Sequence, residues 1–389
     1  LSGFSNSVIW LIFAAFMFAL GYKKTGLGKR VSLVMIKYMG KSSLGLGYAV
    51  AFSDLVLSPF MPSNTARSAG TIYPVASNIP LIFDSTPEHE PRKLGAYISW
   101  VAIATTCVTS SMFLTALAPN LLAVDLINKG TGHMVSWGAW ASIMLPLMIP
   151  LFLLTPWLVY VVYPPTQKTS PEAPAWAAEE LKKLGGITTK ELLMAGLAIV
   201  ALGLWIFSKE VGIDSTTTAI SVVSIMVLAN VITWDDVISN KAAFNVFIWF
   251  ASLVAMAAGL KKVGVLDWIG TSTESYLSGM SPIMLILSML VLFFVLHYFF
   301  ASTTAHTTAL MPIFLAIAVK LMTPEQLIPF SILLAGSLGV MGIITPYATG
   351  PSPIWYGAGY ISQGRWWALG AIFGALYLAA IIIGALIFI

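Results

Sequence analysis

The chain of 389 residues is 58% hydrophobic and only 9% charged, against roughly 25% charged in a soluble domain, which excludes a soluble enzyme and a disordered scaffold. The net charge of +4 is small and scattered over loops, so it makes no nucleic-acid footprint. The single cysteine, Cys107, excludes a disulfide framework and a cysteine-based metal site. Apolar runs reach the roughly 20 residues that span a bilayer, so the expected fold class is an all-α polytopic membrane protein. The chain opens on Leu1 and runs straight into a membrane segment with no recognisable signal peptide.

Spanning segments are expected at 7–20, 94–114 with 119–128, 134–163, 191–208, 216–232, 244–260, 327–344 with 353–360, and 366–388. Two further apolar stretches, 42–80 and 281–319, are each interrupted by a hydroxyl-rich patch, Ser63-Asn64-Thr65 and Ser302-Thr303-Thr304. Apolar, then polar, then apolar reads as a re-entrant hairpin with its tip inside the protein. Irregular backbone survives at membrane depth only where protein or a watery cavity covers it. Segments 94–128 and 327–360 read as helices broken at "TALAPN" (115–120) and "YATGPS" (347–352). Pro119 and Pro351 each remove an amide donor, and Gly350 adds backbone freedom. A broken helix frees backbone around Ala116–Pro119 and Ala348–Pro351 to face a ligand; a plain proline kink is the alternative. The stretch 164–190 is the one sizeable polar loop, with a short surface helix expected at 175–184.

The halves resemble each other. "GYKKTG" at 21–26 recurs as "GLKKVG" at 259–264, an offset of 238. The patch 63–67 recurs at 302–306 with an offset of 239, and "TALAPN" is echoed by "YATGPS" at 232. This divides the chain into a first repeat at 1–163, a cytoplasmic linker at 164–190 and a second repeat at 191–389. The offset places 191–232 opposite positions before residue 1, so about 45–50 residues forming two spans are expected ahead of the chain. With 21–41 placed inside, the inside loops hold fourteen of the twenty Lys/Arg and the outside loops five, the positive-inside asymmetry. Loops 21–41 and 259–280 then fall on opposite sides, so the repeats are inverted, and a site near the midplane is expected.

That count leaves two charges inside the membrane, Arg67 and Asp54. A charge at a helix centre costs at least about 2.5–3.5 kcal/mol, so it marks function or a paired structural site. Arg67 and His306 occupy matching positions after the two hydroxyl patches. Two cations beside two hydroxyl-rich tips suit a substrate with two carboxylates, helped by helix N-termini. The alternative for Arg67 is an ion pair with Asp54 that pins the hairpin; for His306 it is neutral packing. Asp54 lies nine residues before Ser63, about 13.5 Å along a helical arm, and is expected to act structurally rather than to touch substrate. Asp235-Asp236 and the 172–190 charges read as solvated, His297 as core, His89 as loop. The chain has no P-loop, GxSxG or HExxH motif.

Ser63-Asn64-Thr65 resembles the Ser-Asn-Thr signature of the divalent anion/sodium symporter (DASS) family of di- and tricarboxylate transporters. Ser302-Thr303-Thr304 departs from the second signature, having Thr303 where Asn is usual. Residues 345–360, "TPYATGPSPIWYGAGY", resemble the exchanger branch that includes bacterial citrate/succinate and plastid 2-oxoglutarate/malate translocators. The resemblance implies hairpin tips and broken helices around one site, and a homodimer whose transport domain moves against a scaffold domain as an elevator. Sodium-coupled members place small residues after the motif; Arg67 and His306 there suggest a fixed guanidinium and a titratable imidazole replacing Na⁺ and, since Arg stays charged, obligatory exchange.

The expected function is therefore secondary transport: Na⁺-independent exchange of C4/C5 dicarboxylates of the 2-oxoglutarate, malate, succinate and fumarate type. The expected binding residues are Ser63, Asn64, Thr65, Arg67, Ala116, Pro119, Ser302, Thr303, Thr304, His306, Thr349 and Gly350. No cofactor, metal or nucleic-acid partner is assigned. A Na⁺-coupled symporter is the nearest rival and an anion channel the rival from another class; an enzyme is disfavoured. The setting is a bacterial-type inner membrane, with the plastid inner envelope as the alternative.

Overall fold

The computed structural model describes residues 3–277 and 279–389, so the first two residues of the expected first repeat lie outside the described residues. All regular elements among the described residues are helical. Among the described residues, nine helical segments are long and apolar enough to cross a membrane by length and composition.

The first half runs through α1 (Ser7–Thr25), α2 (Leu27–Met39) and α3 (Ser43–Leu57), which tightens into a 3₁₀ turn at Ser58–Phe60. The chain returns through a wide π-type turn, Thr65–Ile72, into α4 (Tyr73–Ala76). Next come α5 (Gly95–Met112), a 3₁₀ turn at Leu114–Ala116, α6 (Ala118–Thr131) and α7 (Trp137–Val162). Then α8 (Glu172–Leu184) crosses to the second half.

The second half has α9 (Thr189–Ile206), α10 (Ser208–Val211), α11 (Ser215–Leu228), α12 (Trp234–Ile238), α13 (Lys241–Lys262) and α14 (Val265–Leu277). Its hairpin is α15 (Pro282–Leu296), a 3₁₀ turn at His297–Phe299, and α16 (Thr303–Leu321). Last come α17 (Pro324–Val340), a 3₁₀ turn at Met341–Ile343, α18 (Ser352–Gly357) and α19 (Gln363–Phe388).

Local chemistry sets these boundaries. Asn6 caps α1, its side chain accepting from the Val8 amide at 2.8 Å, and Gly26 closes it with φ +78°, a left-handed turn open to glycine at little cost. The helix α5 is buried along its whole length, so its hydroxyls turn inward to carbonyls, as Thr105 does to Val101 O at 2.7 Å. It packs against α17, where Ser111 Oγ accepts from the Val340 amide at 2.9 Å and Gly339 leaves no room for a side chain beside Ser110 and Ser111.

The polar helix α8 begins at Glu172, three residues before the expected 175. It lies on α2 with Ala173 and Ala177 buried. Arg30 of α2 reaches Glu191 at 2.6 Å and the carbonyls of Gly185 and Gly186, each at 3.1 Å. The preceding strap pairs Thr169 with Ser42, fastening it to the start of the first hairpin.

Candidate functional site

Both hairpin tips open onto one cavity of about 230 Å³. Ser63, Asn64 and Thr65 line it from the first tip, Ser302, Thr303 and Thr304 from the second. The broken helices contribute Leu117, Ala118, Pro119 and Gly350, and Phe16 of α1 with Val246 and Phe250 of α13 form the facing wall. The volume lies below the ~300–1,000 Å³ typical of drug-sized ligands, so it suits a molecule of a few carbon atoms.

The tips are built alike. Ser63 Oγ accepts from the Ala66 amide at 3.2 Å, and Ser302 Oγ accepts from the Ala305 amide at 3.4 Å. Each serine caps the returning arm, which aims that arm's free amides at the cavity. The N-terminus of α6 begins at Ala118, also in the lining. Three helix N-termini thus converge on a space lined, among the described residues, by no ionisable side chain. Partial positive charge, free amides and short hydroxyls are groups that carboxylate oxygens can pair with.

The structure corrects the expected placement of four residues, Arg67, His306, Ala116 and Thr349, none of which lines the cavity. Arg67 and His306 stand behind it, both fully buried. Arg67 is ion-paired to Asp54, its Nε 3.1 Å from each carboxylate oxygen. Its Nη1 donates to Met61 O at 2.7 Å and Ala116 O at 2.8 Å, and its Nη2 donates to Ser110 Oγ at 3.0 Å. Asp54 also accepts from Thr106 at 2.7 Å and from Thr109. The guanidinium therefore ties the first tip to the first broken helix, its charge matched before any anion arrives. The alternative of an ion pair that pins the hairpin is the arrangement present.

His306 lies among Phe293 at 4.4 Å, His297 at 4.9 Å and Phe300 at 5.0 Å between ring centroids, and neither ring nitrogen has a hydrogen-bond partner. Phe293 and Phe300 stand 239 residues after Asp54 and Met61, two of the partners of Arg67. The same neighbourhood is held by charge in one half and by rings in the other.

Other contacts repeat. Thr115 Oγ1 donates to Pro59 O at 2.6 Å; Tyr347 OH donates to Tyr298 O at 3.1 Å. Where Arg67 holds Ala116 O, His297 Nε2 donates to Ala348 O at 2.9 Å. Across the halves, Asn64 Nδ2 donates to Thr349 Oγ1 at 2.8 Å, so Thr349 buttresses the tip from behind. Ala116 likewise serves through its carbonyl, outside the lining. Gly350 packs directly against the Thr65 side chain, where a Cβ would collide.

The wall residues Phe16, Val246 and Phe250 escaped the sequence reading, because nothing in an apolar helix marks which face meets a ligand.

Comparison with known proteins agrees with this architecture. The family model described as "Sodium:sulfate symporter transmembrane region" matches residues 1–388. An L-tartrate/succinate antiporter of Escherichia coli (strain K12) is 50% identical over 388 residues, covering 99% of this chain and 79% of that one. The protein of the same name from Shigella sonnei gives the same figures. The crystal structure of the Alcanivorax borkumensis YdaH transporter superposes with a TM-score of 0.63 at 14% identity, covering 98% of this chain and 84% of that one.

Proposed function

This chain belongs to the divalent anion/sodium symporter family, and from that membership we infer that it is a secondary transporter exchanging C4 dicarboxylates of the succinate and tartrate type across a bacterial inner membrane. It is a carrier rather than an enzyme. The observation that carries the reading is the uncharged cavity where two hydroxyl tips meet three helix N-termini. Ser63, Asn64 and Thr65 take one carboxylate; Ser302, Thr303 and Thr304 take the other. Pro119 and Gly350 shape the space between, with Thr349 and Ala116 supporting it.

Arg67 acts as a positioning residue that holds Met61 O and Ala116 O in place. His306 packs behind the second tip. With Asp54 opposite Arg67, the empty site carries no net side-chain charge from this pair, so obligatory exchange rests on the binding step rather than on an exposed cation. The protein works as a homodimer. Its hairpins and broken helices move as a unit against a scaffold that includes α1 and α13, an elevator movement. Phe16, Val246 and Phe250 are that scaffold's share of the cavity wall.

The test is counterflow. Proteoliposomes preloaded with succinate should take up labelled succinate and tartrate equally in Na⁺ and in choline, and empty liposomes should take up little. Uptake that requires Na⁺ would favour a symporter; unsaturable uptake into empty liposomes would favour a channel.

A further inference from the structure

A second cavity, of about 410 Å³, adjoins the substrate cavity and shares Phe16, Ser63 and Thr65 with it. It runs between α1 and the returning arm of the first hairpin, and Lys23 is its one cationic lining residue. A third, of about 210 Å³, continues past Lys23 to Lys29. Both lysines belong to the 21–41 segment, the inside face by charge. Lys24 is paired with Asp236 and Lys29 with Glu180 at 3.6 Å, whereas Lys23 forms no salt bridge among the described residues.

A separate cavity of about 330 Å³ lies between α13 and α16, with Lys261 in its lining. It shares no residue with the substrate cavity. The two lysine cavities share one repeat-related wall: Ala19, Leu20 and Lys23 of one correspond at the 238 offset to Ala257, Ala258 and Lys261 of the other. The outer cavity also contains Lys129, Lys320 and Asp267. Lys129 is matched by Asp125 at 2.7 Å, and Lys261 donates to the Lys129 carbonyl. In an inverted-repeat carrier, exchanging the conformations of the halves exchanges which cavity reaches the site.

We propose that Lys23 and Lys261 are a repeat-related pair that draws the anionic substrate to the site, Lys23 from the inside face and Lys261 from the outside face, and that the structure is the state open toward Lys23. The inference rests on the dicarboxylate reading. A cation in the cavity wall raises the local concentration of a dianion and acts on capture, not on the bound complex. The prediction is sided.

The experiment measures KM for external succinate in right-side-out and inside-out membrane vesicles, each preloaded with succinate. Lys23→Gln should raise KM about three- to tenfold in inside-out vesicles only, and Lys261→Gln in right-side-out vesicles only, with kcat unchanged. Lys23→Arg and Lys261→Arg should restore the wild-type KM, and added salt should shrink each difference. Variants that raise KM equally in both orientations, or in neither, overturn the proposal. Wild-type vesicles that take up no succinate overturn the dicarboxylate reading and this inference with it; active vesicles without sidedness overturn this inference alone.

Discussion

Asp54→Asn removes the negative partner of Arg67 while leaving its shape. Arg67 is fully buried and Asp54 nearly so, and taking one partner from a buried pair costs about 3–5 kcal/mol, because the remaining charge is uncompensated. That is a large share of a stability of ~5–15 kcal/mol. An asparagine still accepts from Thr106 or Thr109, so the loss comes from the charge more than from those hydrogen bonds. The variant should therefore yield less folded protein and unfold at lower temperature in detergent, with the KM of the surviving fraction within about twofold of wild type. The double variant Asp54→Leu with Arg67→Met, which removes both charges, should recover most of the stability. It should still exchange slowly, since Met61 O and Ala116 O lose their donor. The assay pairs thermal unfolding with succinate and tartrate exchange. An Asp54→Asn protein of normal stability and altered substrate preference would refute the structural assignment of this pair.

His306→Phe removes two unpartnered ring nitrogens from an aromatic surround, so stability should hold or rise and exchange should persist; abolished exchange in a stable variant would show that the imidazole serves the substrate. Gly350→Ala drives a methyl into the Thr65 side chain, and should raise KM at least about tenfold while leaving the thermal transition near wild type. Outside the membrane, the hydrogen bond from Lys24 holds Asp236 down to about 2, helped by Thr233. A carboxylate held low stabilises fully above its ordinary value near 3.8 and loses that contribution as pH falls through about 2. The protection factors of the α12 amides, their exchange rates taken relative to the intrinsic rate at each pH, should therefore be flat from pH 7 to 4 and fall only below.

The tips, the broken helices and the repeat were legible because polar residues inside apolar runs are costly and therefore stand out. Asp54 was legible from its spacing as lying off the cavity. Arg67 was legible as important but not in its direction: a sequence states that two opposite charges share the membrane, not that a hairpin folds one onto the other. His306 was assigned a charge from its position, but position in a repeat is inherited while neighbours diverge. The residue opposite it is Phe293, where the first half has Asp54, and only packing reveals what that exchange does. The start of α8 was placed late because Ala173 and Ala177 bury against α2, a partner distant in sequence.

The unlike fastenings of the two hairpins bear on how each half can change over generations. The first depends on two charges that are tolerable only together, so any replacement at 54 or 67 must cross an intermediate that folds poorly, and paired changes are the open route. The second rests on several interchangeable rings around His306, each replaceable singly at modest cost. Variation should thus accumulate one residue at a time behind the second tip and in coupled steps behind the first, leaving the second half the readier source of new substrate ranges.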